Sequence, residues 1–147
     1  MGYEGVNDGK LRLEPMDDAA SVNRGSPWRT PTKEEFQELI DNCDYEWVTI
    51  DSSSIVVGKH SGEMFTSRIN GKSVFFPTTG YLIDKQRGTF GLDEYGLYWS
   101  ASIYYHNKYG YISNNAWTSS PLDRGAKMSL SFGGRYLGQS VRPVAKK

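Results

Sequence analysis

The sequence predicts an α+β domain: two early helices packed on short, mostly antiparallel strands. Three observations carry that expectation. Helix-start signals cluster before residue 44. From Glu46 onward the apolar spacing changes from three-and-four to alternation. Glycine and turn pairs then divide the chain into short extended runs. The 147 residues match one domain, 1–147. A chain of this size can bury about 68–70% of the surface it exposes when unfolded.

Residues 1–13, with Gly2, Gly5 and Gly9, read as an extended lead-in. Glu14 to Val22 reads as a short helix. Pro15 suits a first turn, Asp17 and Asp18 suit the positive end of the dipole, and Asn23-Arg24-Gly25 stops it. Thr32-Lys33-Glu34-Glu35 is a capping box preceded by Pro31. Phe36, Leu39, Ile40 and Cys43 follow at i, i+3, i+4 and i+7. Such a stripe needs a sheet to pack on, because a helix this short is marginal alone.

Trp47 to Ile50 and Ser54 to Gly58 read as strands. Phe65–Ile69 and Lys72–Phe76 flank Asn70-Gly71, which predicts a hairpin with a two-residue type I′ turn. Pro77 ends its second strand for want of an N–H. Residues 80–98 hold four glycines and read mostly as loop. Tyr98–Ser102 reads as a strand. So does 126–132, with Met128, Leu130 and Phe132 on one side, and a last short strand spans Gln139 to Val144. Trp28, Trp47, Trp99 and Trp117 read as core residues.

Composition removes several classes of function. Leu, Ile, Val and Phe together number 30, close to the disorder signature, but 20 residues are aromatic and the charges balance at 17 each. Aromatics must therefore supply much of the core. A neutral chain also lacks the basic excess a nucleic-acid binder needs. No apolar run approaches the ~18 residues of a membrane span, and Met1–Gly5 has no signal-peptide core. Cys43 has no partner for an intramolecular disulfide, and reads as a small buried hydrophobe rather than a reactive thiol.

Catalytic patterns are missing. Asp17 and Asp18 are explained by a helix start, and His60 and His106 stand too far apart in sequence for metal-ligand spacing. No P-loop, GxGxxG or GxSxG occurs. No carboxylate cluster offers the six to eight oxygens that Ca²⁺ takes. The expectation is no catalytic residue, no metal and no cofactor.

The informative region is 95–120. Tyr95, Tyr98, Tyr104, Tyr105, Tyr109 and Tyr111 place six of ten tyrosines in seventeen positions. Around them lie His106, Asn107, Ser113, Asn114, Asn115 and Thr118. This is the composition of a paratope, in which Tyr supplies rigid contact area and Ser and Asn supply adaptable hydrogen bonds. With Tyr136, before the closing strand, these residues from Tyr104 onward form the expected ligand-binding set, lying mostly on one solvent-facing surface. The competing reading is that the tyrosines complete an aromatic core. Neighbours such as Tyr104-Tyr105 face opposite ways on a strand, which argues against it. Arg142 reads either as an anion ligand or as a hydrogen-bonding framework residue.

A set of motifs adds a resemblance. Asp17–Asn23, Trp28–Thr32, Glu35-Phe36, Ile69-Asn70-Gly71, Phe76-Pro77, Gly80-Tyr81, Tyr98–Ser102 and Gly138–Val144 occur in this order. Together, over residues 11–145, they resemble the Fibrobacter succinogenes major paralogous domain of gut Bacteroidetes. The resemblance implies a C-type lectin-like fold whose chain ends return to one another and whose loop-rich region holds the ligand. It also implies likeness to variable proteins of diversity-generating retroelements in these bacteria or their phages. There an adenine-directed copy rewrites Asn codons, here in a C-terminal part of about 98–144. Apart from Lys108, every residue type in 103–115 is reachable from a mutated Asn codon. Trp99 and Trp117 fall in its framework positions.

The implied function is non-enzymatic binding of a protein or glycan, at a cell surface or on a phage particle. The alternative is a fixed-specificity adhesin or glycan-binding module. Two related chemistries lack their residues here. The oxidases that share the lectin-like fold use paired cysteines, and Ca²⁺-dependent sugar lectins use Glu-Pro-Asn or Gln-Pro-Asp, whereas Glu14-Pro15 is followed by Met16. Nothing in the sequence indicates an oligomeric state.

Overall fold

A computed structural model describes residues 8–52, 58–83, 89–120 and 126–145. It is sheet-rich α+β, with two short helices and mostly antiparallel strands. Residues 11–13 run along a later strand, with Leu13 N–H donating to Ala101 O and Ile103 N–H to Leu11 O, both at 2.9 Å.

The first helix, α1, spans Ala19–Arg24 and is capped by Asp18, whose carboxylate accepts from Ala20 N–H at 3.0 Å. Pro15 therefore precedes the helix rather than sitting in its first turn. A carboxylate one residue from the helix caps it, and the Glu14–Asp17 segment is left as a turn. Gly25, at φ 70°, closes the other end. After β1 (Trp28–Arg29), α2 spans Lys33–Asn42 with the expected capping box: Glu35 N–H donates to Thr32 Oγ1, and Thr32 N–H to Glu35 Oε2.

Phe36 and Ile40 are buried on α2, whereas Leu39 is only half-buried. Cys43 is not helical. It is extended, and it opens β2 (Cys43–Ser52), but its side chain reaches the same core. β2 pairs with β3 (Gly58–Ser67), which pairs with β4 (Ser73–Pro77). Most of the expected strand Ser54–Gly58 lies outside the described residues. The Asn70-Gly71 hairpin forms with a longer loop than expected. Thr66 pairs with Ser73, residues 68–71 make the connection, and only Gly71 takes positive φ, 69°.

Residues 80–98 hold more structure than a loop. β5 (Thr79–Ile83) pairs with β6 (Phe90–Leu92) and with β10 (Leu137–Gly138). Glycines that read as turn signals permit close approach instead: a Cβ on Gly80 would lie 2.3 Å from Phe90 O. β7 (Tyr98–His106), β8 (Tyr111–Ser120) and β9 (Ser129–Gly134) form another antiparallel sheet. The expected last strand is shorter and shifted. Only Ser140 bridges to Tyr98, and β11 (Val144–Ala145) pairs with β1 beyond Pro143.

The core joins these sheets under α2. Phe36, Ile40, Cys43, Phe65, Phe76, Tyr98 and Met128 are buried together, with Leu39, Val74 and Leu130 at the margin. Phe76 meets Phe65 and Tyr98 edge-on at 5.7 and 5.1 Å. The tryptophans are peripheral: Trp28 is 40% exposed, and Trp47, Trp99 and Trp117 are half-buried. Trp99 Nε1–H must still reach Leu137 O, at 3.3 Å, and that need holds the indole near the rim. No helix among the described residues is long and apolar enough to cross a membrane.

Candidate functional site

The site is built on the β7–β8 hairpin. Its loop is Asn107-Lys108-Tyr109-Gly110, closed by Tyr109 and Gly110 N–H donating to His106 O at 3.1 and 2.8 Å. Gly110 takes φ 65°, which a side chain would strain. The loop projects Asn107, Lys108 and Tyr109 into solvent.

One face of the sheet carries a chain of rings. Tyr104 stacks on Phe132 at 4.2 Å and meets Trp117 edge-on at 5.3 Å. His106 lies 6.0 Å from Tyr104, 4.5 Å from Tyr109 and 5.5 Å from Tyr111. Along β9, Phe132 lies two residues from Leu130 and on the same face, and Leu130 packs on the core beneath α2. Lys33 Nζ of α2 sits 4.8 Å over Trp117. The ring chain is thus the core face of the sheet continued past the start of α2. At its outer end the rings are open: Tyr109 is 62% exposed and Tyr111 51%.

The expected binding set divides across the hairpin. Tyr104, His106, Tyr109 and Tyr111 share the ring face. Tyr105 pairs with Ile112 on the other face and is exposed. Asn114 and Asn115 point to opposite sides, since neighbours on a strand alternate. Asn114 is exposed and Asn115 half-buried opposite Gly134. Ser113 is half-buried, and its Oγ accepts from Asn115 N–H at 3.2 Å. The expectation of one common surface is corrected, because two-residue periodicity splits a contiguous run.

Thr118 leaves the set. It is 3% exposed, and its Oγ1 bonds Tyr98 O at 3.0 Å and Gln139 Oε1 at 2.5 Å. Tyr136 is exposed but belongs elsewhere, to a second cavity of about 630 Å³ lined by Tyr81, Tyr95, Leu137 and Gln139. Arg142 is exposed and lines an apolar groove with Trp28 and Pro143.

Beside the ring face lies a cavity of about 700 Å³. Tyr104, Tyr105, His106 and Trp117 line it from the sheet, Arg12 from the lead-in, and Lys33 and Glu34 from α2. Sequence reading missed Arg12, Lys33 and Phe132, which reach the site from distant segments, and took Trp117, on β8 itself, for a core residue. Lys33 N–H donates to Ser102 Oγ at 3.2 Å and fixes the helix start against β7.

Titration is perturbed away from this face. Burial pushes Glu63 up to about 7 against the donor Met128 N–H and nearby Lys127. Burial also pushes Tyr98 up to about 12 and raises the Cys43 thiol. A raised thiol pKa fits a buried hydrophobe. Among the described residues no group of three or more His, Cys, Asp or Glu is placed to hold a metal ion. No family model, no curated protein and no solved structure matches the chain.

Proposed function

We propose that this chain is a non-enzymatic binding domain that presents the outer β7–β8 hairpin to a protein or glycan. One observation carries the reading: a face of stacked rings continues the core sheet beyond its covering helix and ends in exposed Tyr109 and Tyr111. Rings held by a packed sheet cost little entropy when they bind. The motif resemblance extends the proposal to a C-type lectin-like scaffold, with a surface diversified by a retroelement and displayed on a cell or phage particle. The pairing of β1 with β11, which brings residues 28–29 beside 144–145, supports that extension.

Two experiments test it. A library randomised at Tyr105, His106, Asn107, Tyr109 and Tyr111 is expected to keep the parent's urea midpoint and to yield binders. Midpoints that collapse across the library refute a display surface. Sequencing of the flanking DNA is expected to find a near-copy of the C-terminal stretch, differing at adenines, beside a reverse transcriptase gene. Its absence leaves the fixed-specificity module, which the concave cavity beside Tyr104 favours.

A further inference from the structure

We infer that the cavity between the start of α2 and the hairpin takes a saccharide bearing carboxylates. The inference rests on the reading of the hairpin as a binding surface and adds the chemistry of its ligand.

The chain as a whole balances 17 cations with 17 anions, but this cavity does not. Arg12, Lys33 and Lys108 line it against one carboxylate, Glu34. The neighbouring Glu35 is engaged by Arg29 and by Thr32 N–H, with Arg12 a weaker, more distant charge on it. Lys33 approaches Glu34 at 3.7 Å, with both side chains open to solvent. Arg12 and Lys108 form no ion pair among the described residues.

Two of the cations are seated over rings: Lys33 over Trp117 at 4.8 Å and Lys108 over Tyr109 at 5.3 Å. Tyr104 and Trp117 form the aromatic floor of the cavity, with Lys33 held against the Trp117 ring and Lys108 at the hairpin end. A pyranose ring offers a flat apolar face for such a floor and an equatorial carboxylate for the cations. The volume, about 700 Å³, is that of a small-ligand site rather than a flat protein interface. An acidic peptide carries its carboxylates on flexible stems and has no comparable face to seat.

The test uses trigalacturonic acid, its methyl ester and hexaglutamate, followed by amide chemical shifts. The acid is expected to shift amides of 33–34 and 102–108. The methyl ester, with the same sugar rings but no charge, is expected to bind about tenfold more weakly, equivalent to about 1.4 kcal/mol. Binding should fall in roughly 0.5 M NaCl, where screening is nearly complete over a few Å. A Lys33→Gln/Lys108→Gln variant should melt like the parent yet lose about tenfold in affinity, as the ester does.

Equal binding of acid and ester overturns the charge assignment while leaving a binding surface. Competition by hexaglutamate as strong as the sugar's makes the ligand an acidic peptide and overturns the saccharide. If no probe moves these amides, the inference fails by itself, because the randomised library judges the display surface independently.

Discussion

Ser119 is fully buried in β8, and among the described residues its hydroxyl has no hydrogen-bond partner. An unpaired hydroxyl away from water loses its solvation and gains nothing back. Ser119→Ala keeps the volume and removes that cost. We expect it to raise stability by about 1 kcal/mol, read as a higher urea midpoint. A lower midpoint would mean that the hydroxyl is bonded. Asp18 is the opposite case. Burial disfavours its charge, but donors from Thr30, Ser21 and Ala20 outweigh burial and hold its carboxyl below the usual range. It joins α1 to the segment that enters α2.

At the scale of elements, α2 and the β7–β8 hairpin make contrasting predictions. Thr32→Ala removes one side of the capping box and should cost about 1 kcal/mol. Phe36→Ala should cost about 3–5 kcal/mol, because that ring is 2% exposed amid the core. Leu39→Ala should cost less than about 2 kcal/mol, the low end for a fully buried leucine. On the hairpin, Tyr109→Ala and Tyr111→Ala should each stay within about ±0.5 kcal/mol. Tyr104→Ala should cost about 1–3 kcal/mol, since its ring is held between Phe132 and Trp117. Urea midpoints of the single variants check the ordering. Equal losses at 104, 109 and 111 would mean that all three rings belong to the core.

Across the whole molecule, stability should depend on pH through Glu63. This side chain is 1% exposed, and its Oε2 accepts from Met128 N–H at 3.2 Å, tying β3 to the approach of β9. Burial raises its folded pKa to about 7. The folded state therefore holds a proton that the unfolded state releases. The stabilisation is present below the unfolded value and is lost as pH rises from about 4.5 through 7. The loss should amount to about 3–4 kcal/mol over the full range, given 1.36 kcal/mol per pH unit. At the acid end, the lowered carboxyls of Asp18 and Glu35 act in the other sense, and stability falls as they protonate. Urea midpoints should peak near pH 5 and decline by pH 8. Glu63→Gln should abolish the decline, and a decline that persists would assign it to another group.

The local elements were legible where their cause is local. A capping box is written in four consecutive residues, Thr32 to Glu35, and α2 begins where they place it. The β-rich flanks of Asn70-Gly71 specified a hairpin, although only the folded register set its loop at four residues. β5 and β6 were hidden because Gly80 serves close approach to Phe90 and Leu92 there, a demand that exists only once the two strands pair. The candidate site divides in the same way. The crowding of tyrosines between 95 and 111 is a fact of the chain. Which of them form one surface follows from strand alternation and from which part of the sheet α2 covers. Arg12, Lys33 and Phe132 meet that surface only after folding, because ring stacking and charge act through space and carry no mark in the spacing of residues along the chain.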